Sequence, residues 1–454
     1  VRSLTIRGGT LALPDGDPRS PATRIRRVVG DLQLTDGKIT AVGVVPDSDG
    51  EVVDARGLLV MPGVIDPQVH FREPGLTHKE DLGTGSRACA AGGVTAFLEM
   101  PNTDPPTTSR VALDDKLARA ARTSLVDYGF FIGATPENSD ELLAHDADDD
   151  ICGIKVFMGS STGRLLVSER ADLERIFSRG HKLIAVHAED EARLVARKQS
   201  FGPTTDVTQH THIRDAEAAR LASALAMELS ETFQRRLHIL HLSTADEVAL
   251  LAERGKGQGR VTAEVTPQHL TLIAPQIYER LGTRAQMNPP LREAQHAEAL
   301  WKGLHAGLLD CIATDHAPHT LAEKAKGYGA APSGMPGVET ALSVMLDAAA
   351  RGLCSVDDVV RWMTLGPARC YGIVGKGALV EGYDGDVTLV DLAERRAVDA
   401  RPIRSRCGWS PYEGVPLTGW PVATFVGGRA VYRDGELIES GSGAKLRFTT
   451  SASR

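Results

Sequence analysis

No stretch of the 454-residue chain stays apolar for the ~18 residues that a membrane-crossing helix needs, so a helical membrane protein is not expected. Basic charge is not in excess either. The chain has 51 Lys and Arg against 59 Asp and Glu, a formal net charge of −8. A nucleic-acid partner, which needs a basic face, is therefore not expected. The segment from Val1 to Thr10 lacks a basic stretch followed by an apolar one, so no secretory leader is read there. The six cysteines (Cys89, Cys152, Cys311, Cys354, Cys370, Cys407) lie scattered, with no C-x-x-C pair. In a chain of this length they read as reduced thiols of a cytoplasmic protein, not as a disulfide framework. No short-period repeat occurs, and the longest low-complexity tract is "DADDD" at Asp146 to Asp150. That run reads as a solvated connection, because a calcium loop needs more regular spacing.

The composition that remains is 42% hydrophobic and 24% charged, which places the chain among ordinary globular proteins. Its length is about three times the ~150-residue prior for a domain, but an α/β barrel alone takes ~250 residues. One large domain with a smaller one is as compatible with this as three. Both ends alternate short apolar runs with turns: Leu4 to Leu13, Val28 to Leu34 and Ile39 to Val45, then Asp386 to Asp391, Pro421 to Val426 and Arg429 to Leu437. Asp-Gly pairs at Asp36-Gly37 and Asp434-Gly435 are hairpin signals. Both ends thus read as locally paired β structure.

Between them, apolar runs alternate with helical patterns: Leu59–Phe71, Thr95–Met100, Tyr128–Ala134, Ile151–Met158, Leu183–His187, Leu237–Leu242, Val261–Val265 and Leu308–Thr314. The runs are rich in Val, Ile and Leu with little alternation, as strands buried on both faces are. Helical patterns include Ala216–Thr232, Ala245–Arg254 and Val338–Arg351. Eight strand–helix units predict a (β/α)₈ TIM barrel (residues 59–372), with a small composite β-sandwich built from residues 1–58 and 373–454.

A barrel places its chemistry at the C-terminal ends of its strands. There the sequence has Asp66, Gln68, His70 and Arg72 on strand 1 and Asn102 on strand 2. Lys155 lies inside strand 4, and His187 and His241 close strands 5 and 6. Asp315 and His319 follow strand 8. Taken singly, each has a plain explanation: a satisfied core histidine, a lysine reaching the rim, an aspartate capping a helix. Three His, one Lys and one Asp on five separate strands of one barrel face are far harder to explain that way. His and carboxylate without thiolates suit zinc or another borderline divalent metal. An ammonium repels a metal, but the carbamate formed from Lys155 and carbon dioxide is anionic and can bridge two ions.

Three further motifs are set aside. "GTGSRA" at Gly83 to Ala88 mimics a dinucleotide fingerprint but does not follow its strand directly, and reads as a helix start. "GSSTG" at Gly159 to Gly163 mimics a nucleophile elbow, yet "RLLVS" intervenes before any helix. "QHTH" at Gln209 to His212 offers His210 and His212, and reads as a solvated loop or a substrate-side contact.

Four segments, "PGVIDPQVHFREPG" (Pro62–Gly75), "MPNTDP" (Met100–Pro105), "MNPPLR" (Met287–Arg292) and "ATDHAPHT" (Ala313–Thr320), resemble the dihydroorotases of the amidohydrolase superfamily. The likeness runs through about Met61 to Tyr371; the ends match only in kind. It implies a site of one or two zinc ions with Lys155, carbamylated, as the bridge. His70 would be one ligand from strand 1, where the family has an H-x-H pair and this chain has Gln68 in the first position. His187 and His241 would complete the second metal. Asp315 would be both ligand and the group that takes and returns the proton. Arg72, Asn102 and His319 would bind a substrate carboxylate, and Asn288 with the Ser333–Gly334 backbone the pyrimidine ring. The activity implied is reversible hydrolysis of L-dihydroorotate to N-carbamoyl-L-aspartate in pyrimidine synthesis, by a cytoplasmic homo-oligomer. The alternatives are an allantoinase or hydantoinase, whose substrates lack that carboxylate, and an impaired scaffold that partners aspartate transcarbamoylase. Gln268, where family members often have His, has no role assigned.

Overall fold

The first Asp-Gly pair turns as its residues demand: Asp36 and Gly37 both take positive φ, 48° and 82°. In this computed structural model, which describes residues 3–45, 50–161, 165–438 and 443–449, that turn joins two of five N-terminal strands. These are β1 (Ser3–Asp15), β2 (Arg24–Thr35), β3 (Lys38–Gly43), β4 (Glu51–Asp54) and β5 (Leu59–Pro62). Eight more follow: β6 (Val64–Val69), β7 (Val94–Glu99), β8 (Asp127–Gly133), β9 (Ile151–Phe157), β10 (Ile184–His187), β11 (Leu237–Ile239), β12 (Val261–Val265) and β13 (Cys311–Ile312). The last four are β14 (Val387–Ala397), β15 (Pro416–Val426), β16 (Arg429–Arg433) and β17 (Glu436–Leu437). Asp434 and Gly435, at φ 52° and 93°, turn the final hairpin.

The two ends meet in one sheet of order β17-β16-β15-β14-β5-β1-β2-β3, with β4 beside β1. The link between ends is β5, antiparallel to β14 with Met61 opposite Thr388 and parallel to β1. Leu4, Ile6, Leu32, Val60, Leu389 and Phe425 share the buried core of this sheet. The other sheet is all parallel, running from β6 to β13 in chain order. Its open side is closed by a parallel bridge between Val69 and His316, where the His70 N–H donates to the His316 carbonyl at 2.7 Å. The architecture is a (β/α)₈ barrel beside a β sheet drawn from both chain ends.

All eight expected runs supply barrel strands, with one division. The run Leu59–Phe71 feeds both sheets, β5 entering the end sheet and β6 opening the barrel. The switch is at Gly63, where any Cβ would overlap the Thr95 side chain. Helices Ala216–Thr232 and Ala245–Arg254 form as expected, capped by Asp215 and Thr244. "GTGSRA" lies in the helix Leu82–Ala91, capped by Asp81. In "GSSTG", Thr162 and Gly163 lie outside the described residues. The acidic run is not simply solvated: Asp150 is buried, with Arg110 at 2.9 Å and Lys445 at 3.2 Å, and Asp146 accepts from the His181 and Lys182 N–H groups at 2.8 Å. No helix of the described residues is long and apolar enough to cross a membrane, and the six cysteines are unbridged.

Candidate active site

At the C-terminal ends of the barrel strands lies a cavity. Its wall brings together Gln68, His70, Arg72, Asn102, Lys155, His187, His241, Asn288, Asp315, Ser333 and Gly334, with Phe157, Ser161 and Ala317. Of the residues proposed from sequence, His319 alone stands off the wall. It is fully buried behind Arg72, with its Nε2 3.0 Å from the Ser333 carbonyl and its Nδ1 accepting from Lys79 at 3.1 Å.

Two groups of donors face each other across this cavity. On the β6 and β13 side, His70 Nδ1 is 2.7 Å from Asn102 Oδ1 and its Nε2 is 3.0 Å from Asp315 Oδ1. Burial lowers the His70 pKa, so the ring is neutral and carries one N–H for two oxygen acceptors. Gln68 Nε2 donates to the same Asp315 oxygen at 3.0 Å, leaving Gln68 Oε1 buried without a hydrogen-bond partner. On the other side, His187 Nδ1 and His241 Nε2 approach to 3.1 Å. His187 Nε2 meets Glu189 at 2.9 Å, which turns its Nδ1 towards the cavity, and His241 Nδ1 has no partner among the described residues. Burial lowers both histidines' pKa values.

Between the two groups stands Lys155 on β9. It is 1% exposed, makes no ion pair among the described residues, and lies 4.5 Å from the centre of the Phe157 ring. Burial pushes its ammonium down to about 7. Neutral imidazoles, a carboxylate, orphaned buried acceptors and an amine poised to lose its proton fit a borderline divalent cation. A His whose other nitrogen is held by a carboxylate is the usual way such a ligand is oriented.

The remaining wall is built for an anion. Arg72 is buried, with Nε donating to the Pro318 carbonyl at 3.2 Å, and its Nη1 is buried without a partner among the described residues. Burial lowers its pKa to about 10, which leaves it protonated near neutrality. Arg72, His241 and Asp315 all take positive φ, 66°, 38° and 46°, so three side chains of the cavity wall are aimed by backbone that L residues rarely adopt.

Sequence reasoning missed several supports. Glu189 orients His187. Burial opposes its ionisation, but the paired Arg214 guanidinium outweighs this and holds the carboxyl well below the usual range. His210 is not in a solvated loop: it is buried, 3.0 Å from Asn288 Oδ1 and 3.0 Å from the Tyr328 hydroxyl, so it touches a wall residue from behind. His212 is exposed. Gln268 donates to the Thr314 carbonyl at 2.8 Å and steadies the residue before Asp315. The flanking Asp66 does the same from β6, accepting from the Thr314 N–H at 3.1 Å and the Thr314 hydroxyl at 2.5 Å.

Comparison with known proteins places this geometry. The amidohydrolase family model matches residues 59–431. A dihydroorotase of Halobacterium salinarum is 38% identical over 443 residues, 93% of this chain and 100% of that protein. An allantoinase of Streptomyces avermitilis is 36% identical over 419 residues, covering 89% of this chain and 92% of its own length. Among solved structures, the L-hydantoinase (dihydropyrimidinase) of Arthrobacter aurescens aligns with a TM-score of 0.90 at 30% identity, over 99% of this chain and 100% of that one. With the family match running through the whole barrel and into the end sheet, and relatives aligned nearly end to end, this chain belongs to the amidohydrolase family.

Proposed function

We propose that the chain is a dihydroorotase, hydrolysing the cyclic amide of L-dihydroorotate to N-carbamoyl-L-aspartate and closing it in reverse, as a step of pyrimidine synthesis. The observation that carries this reading is Arg72: a protonated guanidinium with one buried, unpartnered nitrogen on the wall that also holds the metal-donor set. A carboxylate on the substrate satisfies it, and hydantoin and allantoin rings bring none. This matters because dihydroorotases and an allantoinase are similar to the chain at comparable identity.

The residues suit one or two zinc ions. His187, His241 and carbamylated Lys155 would hold one; His70, Asp315 and the same carbamate the other, with Gln68 offering only its neutral Oε1. When bound, zinc lowers the pKa of a water to about 7 and polarises a carbonyl. The remaining steps belong to the chain. At about pH 7 half of Lys155 is the neutral amine, whose lone pair forms an N–C bond with carbon dioxide and releases a proton to solvent. The Asp315 carboxylate, fixed by Gln68 and His70, takes the proton of the attacking water and returns it to the departing ring nitrogen. Arg72 grips the substrate carboxylate and sets the ring against Asp315. Asn288, braced by His210, and the Ser333–Gly334 backbone offer hydrogen bonds to the ring. Asn102 acts on the same wall through His70, and His319 acts from behind Arg72.

With this activity goes a cytoplasmic homo-oligomer divided at 1–58, 59–372 and 373–454, the crossover between sheets falling at Gly63. The test is Arg72→Met. Losing two charge-assisted hydrogen bonds, about 3–5 kcal/mol together, should cut dihydroorotate turnover by a factor of about 10²–10⁴ with metal content unchanged. Allantoin turned over faster than dihydroorotate by the native chain would overturn the substrate assignment. A chain that binds no metal and turns over neither would support the scaffold reading, with aspartate transcarbamoylase as the partner to assay.

A further inference from the structure

A second set of metal-binding side chains lies deeper in the barrel, and the catalytic reading does not use it. His238 on β11, Glu264 on β12 and Cys311 on β13 stand on three adjacent strands, Glu264 directly in register with Cys311. All three are fully buried, and their ligand atoms lie within 4.8 Å of one another. A fourth side chain, the Cys370 thiol, is brought beside Cys311 and His238 by the helix Gly366–Tyr371, which packs on β13. One nitrogen, one oxygen and one sulfur thus converge in a dry interior, with a second sulfur at their edge.

Hydrogen bonding leaves this cluster unsatisfied. Glu264 Oε2 is 3.0 Å from His238 Nε2, but Glu264 Oε1 is buried with no partner among the described residues. His238 Nδ1 is 2.7 Å from the Thr262 hydroxyl, and although burial opposes it, its neighbours, Glu264 among them, raise the ring's pKa to about 9, so it stands as the imidazolium. The Nε2 proton between ring and carboxylate is the one that a divalent cation would replace. A hydroxyl holding the outer nitrogen is also how a metal-bound imidazole is commonly oriented. For a tetrahedral zinc site, N and O ligands ~2.0–2.1 Å from the ion stand about 3.3 Å apart, close to what is seen here. A buried carboxylate left half-paired costs several kcal/mol, which a divalent ion would remove.

We propose that His238, Glu264, Cys311 and Cys370 form a structural divalent-metal site, zinc by its mixed N, O and S donors, distinct from the catalytic centre. Four protein ligands leave no open position for substrate, so the site serves stability and not turnover. Full burial means that the ion enters while the barrel folds. Binding releases the Nε2 proton of the imidazolium and the thiol protons to solvent, and requires no redox partner.

Cobalt tests this, because only a thiolate-ligated ion gives thiolate-to-cobalt charge-transfer absorption in the near ultraviolet. The catalytic donors are all nitrogen and oxygen. Full-length protein produced in cobalt-supplemented minimal medium should show the band. So should Lys155→Ala, which lacks the bridging residue of the catalytic site. Cys311→Ser and Cys370→Ser should lose the band and one equivalent of metal. A native protein that carries cobalt by elemental analysis but shows no such band overturns the proposal, as does a native Cys311–Cys370 disulfide found by intact mass. Because that first readout is on the native chain, a cysteine variant that fails to fold does not decide the matter.

Discussion

Gln68 is the residue at which this chain departs from the strand-1 pair that its resemblance implies. A carboxamide oxygen is a neutral and weaker zinc donor than an imidazole, and here its amide nitrogen is spent on Asp315. In the two-ion site proposed above, the ion beside His70 and Asp315 should therefore be the looser, since the other would keep His187, His241 and a carbamate on Lys155. Dialysis against a mild chelator should remove one equivalent first, with activity falling in step and returning on added zinc. Gln68→His should tighten that equivalent by about tenfold or more. Both equivalents leaving together from the native chain would refute this asymmetry. At this scale the sequence was legible wherever a polar residue interrupted a buried apolar run, as Lys155 does in "GIKVFMG" and His241 in "ILHLST". It was silent on partners distant in the chain. Nothing near His187 announces that Arg214 holds Glu189, and no local signal pairs Gln268 with the Thr314 carbonyl.

At the scale of elements, the closure between β6 and β13 aims the chemistry. β13 is only two residues long, and Asp315 follows it at φ 46°, so ladder hydrogen bonds alone do not hold the loop. Asp66 does, through the Thr314 N–H and hydroxyl, while Gln268 holds the Thr314 carbonyl from the β12 side. Asp66→Ala leaves three buried donors unpaired, the Thr314 N–H and hydroxyl and the Gln68 N–H, and should cost about 3–5 kcal/mol in a denaturant titration. It should also lower kcat more than it raises KM, because it frees Asp315, the proposed proton carrier, while sparing Arg72. An Asp66→Ala variant with native stability and native kcat would show that the bridge between Val69 and His316 suffices. The strands themselves were legible because both of their faces are buried. The division of Leu59–Phe71 was not, because a single glycine packed on Thr95 decides it, and that contact exists only once β7 lies alongside.

At the scale of the whole molecule, the barrel is tied to the C-terminal segment by Glu339, which accepts from the Arg404 and Ser405 N–H groups at 2.8 and 3.2 Å. Burial, with Glu80 nearby, raises its pKa to about 7. The folded state then keeps a proton that the unfolded chain has released, so the contribution is full below about pH 4.5 and is lost as pH rises through about 7. Allowing for partial exposure, this is of order 1–2 kcal/mol. Thermal melts should give a higher Tm near pH 5.5 than near pH 8, by a margin that shrinks in Glu339→Gln. An unchanged margin would show that other groups set the pH response. By itself the sequence determined the β/α alternation, the local hairpins at both ends and the donor types waiting at the strand ends, because periodicity, turn chemistry and residue identity are short-range properties. Only the tertiary structure decided that β5 joins β14, that His210 braces Asn288, that three residues of the cavity wall take positive φ, and that His238, Glu264 and Cys311 meet. Those arrangements depend on which distant surfaces are buried together, and burial is a property of the folded whole.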